Sequence, residues 1–234
     1  MSKHGRKYQE AAALVEKGKL YSLEEAISLL RKTSPVKFDA SCEVHMNLGV
    51  NPKHADQMVR ATVALPHGTG KEVKVIAFVP DDLIKEAKSA GAVEAGGTEL
   101  IEKIEGGWLD FDVAVATPDM MKSLGKVAKT LGQKGLMPNP KAGTVTQNIP
   151  VTVAEIKKGK VEFRVDKLAN IHNVFGKVSF DEARLMDNIK TFVKAVSNVK
   201  PAGIKGTYIK TIILTTTMGP GIPLNVTAAL SEAA

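Results

Sequence analysis

The sequence predicts an α/β protein with two parts. One is an α+β domain with an antiparallel sheet, assembled from both ends of the chain; the other is a doubly wound domain inserted between them. Three observations lead there. Residues 41–50 and 160–165 alternate apolar and polar side chains with the two-residue period of a half-buried strand. The middle of the chain changes rhythm: residues 75–79, VIAFV, form an unbroken apolar run suited to a parallel strand covered on both faces. The net charge of +7 is also unevenly spread. Residues 1–68 carry 10 Lys+Arg against 7 Asp+Glu, and residues 160–234 carry 10 against 6, while residues 69–159 balance 12 against 12. Basic ends around a neutral middle point to a polyanion, nucleic acid first, as partner of the end-built domain, with surplus lysine that merely keeps the protein soluble as the alternative.

Each element has its own signal. Ser22-Leu23-Glu24-Glu25 is a capping box, with Ile27 and Leu30 following at helical spacing. Cys42, Val44, Met46, Leu48 and Val50 mark a strand that Asn51-Pro52 breaks, and residues 58–65 predict a second. In the middle, Pro80-Asp81-Asp82 opens a helix over residues 83–90, closed by Gly91. Residues 92–95 read as a short strand, 98–104 as a helix and 112–116 as a third strand. Thr117-Pro118 then starts a helix carrying Met120, Met121, Leu124, Val127 and Leu131. The pattern is β-α-β-α-β-α. Beyond it, Ser179-Phe180-Asp181-Glu182 is a second capping box, ahead of a stripe of Leu185, Ile189, Phe192, Val193 and Val196. Residues 208–217 form the last strand. The expected domains are therefore 1–68 plus 160–234, and 69–159. Their two glycine-containing crossings, near residues 66–70 and 157–160, are expected to act as a hinge.

Several function classes are excluded. The single cysteine, Cys42, rules out an internal disulfide and a cysteine-rich zinc site. Residues 1–12 lack a signal-peptide core, and no run approaches the ~18 apolar residues of a membrane span, so a soluble cytoplasmic protein is expected. A doubly wound domain invites an enzyme acting on a phosphorylated ligand, but the first strand-to-helix turn reads Val79-Pro80-Asp81-Asp82. It lacks the glycines of a dinucleotide site, and its two carboxylates would repel a pyrophosphate. His67-Gly68-Thr69-Gly70-Lys71-Glu72 fails as a phosphate loop, because Leu65 and Glu72 stand where Gly and Ser or Thr are needed. His4, His45, His54, His67 and His172 show no ligand spacing, no G-x-S-x-G elbow is present, and no cofactor or catalytic set is expected. A DNA-binding module would need a recognition helix, which is not evident.

Two loops stand out. Residues 131–145, LGQKGLMPNPKAGTV, are long, stiffened by two prolines, and carry Lys134 and Lys141. Residues 215–221, TTTMGPG, end an apolar strand on a bare methionine. Threonine hydroxyls can pair with phosphates, 2′-hydroxyls and base edges, and methionine is a flexible apolar tip for a ribose or a base face. With aromatics at only 5%, folded RNA suits this chain better than splayed single strands.

TTTMGPG, KFDASCEVH (37–45), LPHGTGK (65–71), FDVAVATPDMM (111–121) and LGQKGLMPNPKAGTVT (131–146) lie in an order that resembles the bacterial ribosomal protein L-one family over nearly the whole chain. Gly221 departs from the family pattern, in which Ser often follows Gly-Pro. The resemblance implies a non-enzymatic structural constituent of the large ribosomal subunit. It would bind 23S rRNA to form the mobile stalk, assist movement and release of exit-site tRNA, and repress translation by binding its own-operon mRNA. It also implies a Rossmann-like inserted domain without cofactor, and a monomer off the ribosome. The RNA-binding residues it implies are Lys37, Phe38, Ser41, Glu43, Arg164, Lys167, His172, Thr211, Thr217, Met218 and Gly219. Lys134 and Lys141 are candidate secondary contacts to RNA or tRNA.

Overall fold

A computed structural model describes residues 4–204 and 206–233 of the 234-residue chain. The helices, in chain order, are α1 (Arg6–Ala13), α2 (Leu23–Lys32), α3 (Ile84–Ser89), α4 (Thr98–Glu105), α5 (Ala128–Lys134), α6 (Ile149–Lys157), α7 (Glu182–Asn198) and α8 (Val226–Ala233). The strands are β1 (Ser41–Leu48), β2 (Arg60–Ala64), β3 (Val75–Phe78), β4 (Glu94–Gly96), β5 (Val113–Ala116), β6 (Lys160–Arg164), β7 (Asn170–Lys177), β8 (Ile209–Thr216) and β9 (Ile222–Pro223). The chain has the mixed α/β character that the sequence predicts, and it divides into two compact units: Met1–Gly70 with Glu162–Ala234, and Lys71–Val161. Among the described residues, no helix is long and apolar enough to cross a membrane.

The first unit is built on an antiparallel sheet in the order β7-β1-β8-β9, with β2 and β6 paired as a separate two-stranded sheet. β1 alternates strictly: Cys42, Val44, Met46 and Leu48 are buried, and Ser41, Glu43, His45 and Asn47 face the other way. The buried face, completed by Ile171, Phe175, Ile212 and Leu214, is covered by α2, α7 and α8. α7 contributes Leu185, Ile189, Phe192, Val193 and Val196, all fully buried. At roughly 1.5–3 kcal/mol for each such side chain, burial outweighs the few tenths of a kcal/mol that helix formation costs the β-branched Ile189, Val193 and Val196. Among the described residues these helices pack on one side of the sheet, and the other carries mostly polar side chains, with Val174 and Ile213 among them.

The second unit is a three-stranded parallel sheet in the order β4-β3-β5. Ile76 and Phe78 pack on one face with Leu100, Ile104, Leu124 and Leu131; Val75, Ala77 and Val79 pack on the other with Val153 and Ile156. Burial on both faces is why β3 reads as a continuous apolar run.

Three expectations need correction. Ser179 does not cap a helix. Its hydroxyl donates to Asp39 Oδ2 at 2.9 Å and its N–H to Asp39 Oδ1 at 3.0 Å, so α7 begins later, behind Asp181. The helix expected from Thr117-Pro118 is instead two 3₁₀ turns followed by α5. Gly125 weakens a continuous α-helix there, although Leu124, Val127 and Leu131 still reach the core as their spacing requires. β7, one of the two strands paired with β1, lies in a segment the sequence does not mark as a strand. By contrast, the Ser22 box forms as read, with Glu25 N–H on Ser22 Oγ at 3.3 Å and the reciprocal bond from Ser22 N–H to Glu25 Oε2 at 3.4 Å.

Candidate nucleic-acid interface

The register of the sheet sets out its open face in rows. Antiparallel partners point to the same side of a sheet. Glu43 therefore sits between Val174 and Thr215, His45 between His172 and Ile213, and Asn47 between Asn170 and Thr211. Ser41 begins β1 beside Lys177 of β7. Side chains join the rows. Lys177 Nζ donates to Ser41 Oγ at 3.0 Å, Asn47 Nδ2 donates to Asn170 Oδ1 at 2.8 Å, and the two imidazoles meet Nδ1 to Nδ1 at 2.8 Å. Glu43 and Asp166 flank the histidines, 3.6 Å from His45 Nε2 and 3.5 Å from His172 Nε2 respectively. Asp166 is held below the usual carboxylate range, first by the Asn170 N–H that it accepts. Burial, and after it the charge of His172, hold His45 below its ordinary value, with Glu43 opposing.

The tip of β8 closes one end of this face. Thr217 N–H donates to Ser41 O at 3.0 Å, and Ser41 N–H donates to Thr217 Oγ1 at 3.1 Å. The Thr217 hydroxyl is thus tied to the start of β1 through its acceptor. Thr215 Oγ1 reaches Gly219 O and Pro220 O, each at 3.2 Å, and fixes the turn from inside. Gly219 cannot carry a side chain: a Cβ there would collide with Thr216 Oγ1, a buried group. Met218, at φ 65°, occupies the left-handed region that non-glycine residues seldom adopt, and its side chain is 72% exposed. A solvated methionine held in a strained conformation serves no core.

Phe38 is 60% exposed, and Lys37 beside it is exposed too. The Asp39–Ser179 bonds tie their loop to the end of β7. Arg164 ends β6 and Lys167 lies in the turn before β7; with Pro52, Met58, Val165 and Asp166 they line an open cleft of about 370 Å³. Leu168, at the tip of that turn, is 76% exposed. The structure therefore brings Ser41, Glu43, His172 and Thr211 onto one face, with Thr217, Met218 and Gly219 at its end. Lys134 and Lys141 belong to the second unit, at the end of α5 and in the turn that follows. Sequence reasoning missed His45, Asn47, Asn170, Asp166 and Lys177. The alternation of β1 was enough to place His45 and Asn47 beside Glu43; the others needed β7. Among the described residues, no three His, Cys, Asp or Glu side chains are grouped to hold a metal ion.

Residues 30–220 match the family described as Ribosomal protein L1p/L10e family. The chain belongs to that family. Among its curated relatives, the Large ribosomal subunit protein uL1 of Saccharopolyspora erythraea is 54% identical over 225 residues, covering 96% of this chain and 94% of that protein. Those of Salinispora tropica and Salinispora arenicola are each 52% identical, covering 95% and 98% of this chain and 93% and 97% of their own lengths. Membership places the chain among ribosomal proteins, which are structural rather than enzymatic.

Proposed function

We propose that this protein is a structural constituent of the large ribosomal subunit in the cytoplasm, and that the open face of its first unit binds 23S rRNA to build the mobile stalk. The observation that carries the reading is the uncovered β7-β1-β8 face. It is lined by Ser41, Glu43, His172 and Thr211 and ends in the exposed Met218 turn. Residues 1–68 and 160–234 act as the RNA-binding domain and residues 69–159 as the inserted domain. Lys37, Arg164 and Lys167 meet phosphates; Ser41, Thr211 and the backbone at Thr217 and Gly219 read 2′-hydroxyls and groove edges; Phe38 and Met218 lie against sugars or base faces. The family resemblance adds two roles: assisting movement and release of exit-site tRNA, with Lys134 and Lys141 as contacts, and repressing translation by binding its own-operon mRNA.

Equilibrium binding to folded large-subunit rRNA and to a duplex of equal length, across a salt series, tests the reading. Non-specific phosphate binding weakens steeply by ~0.2 M salt. A large preference for the folded RNA that survives there is expected. Equal affinities that collapse together refute shape-specific recognition. Competition by a transcript of the messenger's own leader tests repression, which requires displacement of the rRNA.

A further inference from the structure

Asp166, His172, His45 and Glu43 form a chain across the open face: carboxylate, imidazole, imidazole, carboxylate. Its contacts are Oδ2 to Nε2 at 3.5 Å, Nδ1 to Nδ1 at 2.8 Å, and Nε2 to Oε2 at 3.6 Å. The middle contact has room for one proton. With none, two lone pairs would face each other; with two, two N–H groups would. A neutral pair has two protons for four nitrogens. One lies between the rings and the other on a single outer nitrogen, so the remaining outer nitrogen turns a lone pair toward a carboxylate. One more proton removes that mismatch and gives a donor at each end with one proton shared in the middle. A fourth breaks the central bond. All three contacts are therefore satisfied together only when the pair carries one positive charge.

We propose that His45 is a positioning residue of the RNA-binding face, holding His172 through this shared bond, and that RNA docking draws one proton from solvent onto the pair. The inference rests on the reading under Proposed function. The groups facing the pair leave few alternatives. Glu43 lies on β1 and Asp166 in the turn before β7, and both would repel a phosphate. β8 presents Thr211, Ile213 and Thr215 there, none of which titrates. Asp166 is pinned as a carboxylate by the N–H groups of Asn170 and Leu168, at 2.7 and 2.8 Å. Lys177, the nearest cation on β7, is committed to Ser41 Oγ and Asp39 O. In the free protein, burial first and then the charge of His172 hold His45 below its ordinary value, so its surroundings oppose the extra proton. A polyanion laid on the face reverses that balance. A single charge on the pair then offsets the repulsion from both carboxylates.

The test is binding of an in vitro transcript of folded large-subunit rRNA at fixed salt, from pH 8 to pH 5.5. One linked proton makes affinity rise by up to about tenfold per pH unit as pH falls through the window between the free and bound titrations, and leaves it flat above. His45→Gln and His172→Gln are expected to flatten the profile. His67→Gln, whose imidazole pairs with Asp187 at 3.1 Å away from these rows, keeps it. Circular dichroism confirms that each variant is folded. In proton NMR, the His45 ring signals of the wild type are expected to titrate at higher pH with RNA bound than without. Equal slopes in wild type and His45→Gln, or ring titrations unmoved by RNA, overturn the inference while leaving tight binding intact. Failure to bind the folded RNA tightly at any pH would instead overturn the reading on which it rests.

Discussion

Met218→Gly separates the cost of a conformation from the use of a side chain. Met218 lies at φ 65°, which costs an L-residue roughly 1–2 kcal/mol relative to glycine. Glycine removes that strain but adds freedom to the unfolded chain, a loss of about 0.4–1 kcal/mol. The methionine side chain is 72% exposed, so about a quarter of the roughly 1.5–3 kcal/mol for full burial is forfeited, some 0.4–0.8 kcal/mol. The contributions nearly cancel, and stability should change by less than about 1 kcal/mol. For a chain of this size that is about 2–4 °C in Tm. If Met218 packs on RNA, affinity should nevertheless fall by a factor of roughly 5–30, the equivalent of about 1–2 kcal/mol. Thermal unfolding by circular dichroism and equilibrium binding to folded rRNA read the two effects on one preparation. A Tm loss well beyond 4 °C would show that the methionine is a structural plug, and unchanged affinity would remove it from the interface; either refutes the reasoning.

Three further outcomes follow from particular contacts. Asn188 is fully buried; its amide donates to Gly68 O and Phe175 O, both at 2.8 Å, and its carbonyl oxygen accepts from His67 N–H at 3.1 Å. Asn188→Leu strands the buried Phe175 O and frees the more exposed Gly68 O and His67 N–H to water, and should lower the denaturation midpoint by the equivalent of about 1–3 kcal/mol. Cys42 is buried, and burial before any neighbouring charge pushes its thiol up to about 12. It stays protonated at pH 8, so iodoacetamide should label it only after unfolding, as mass spectrometry with and without denaturant will show. Phe38→Ala, at a side chain 60% exposed, should cost less than about 1 kcal/mol of stability yet weaken rRNA binding severalfold in the same binding assay.

What the sequence makes legible is whatever depends on near neighbours. β1 shows itself because one side of every second residue meets the core, and α7 because its stripe does the same at helical spacing. β7 escapes for a physical reason. Its register shifts opposite Cys42 and Glu43, so Phe175 and Gly176 are buried in succession and the alternation breaks within the strand. Ser179 satisfies a local motif, but Asp39, 140 residues away, holds both of its polar groups. His45 looks solitary along the chain because its partner stands 127 residues on, in the strand that could not be read. The candidate site is therefore half visible: the residues on β1 and at the Met218 turn can be found by pattern, while of those on β7 only His172 is reached beforehand, through the family resemblance, and the others need the fold.

The position of β1 between β7 and β8 has a consequence for biosynthesis. β1 emerges early from the site of synthesis, but both of its flanking strands are made only after the whole of residues 71–161. The parallel sheet in the middle has all its strands within one continuous stretch and is free to fold while translation continues, since domains generally fold as units as they emerge. β1 must wait through that interval with two unsatisfied edges, and pairings this distant in sequence form slowly. A nascent chain therefore has no assembled face with which to hold RNA. The capacity to bind arrives only once β8 and its Met218 turn have been made.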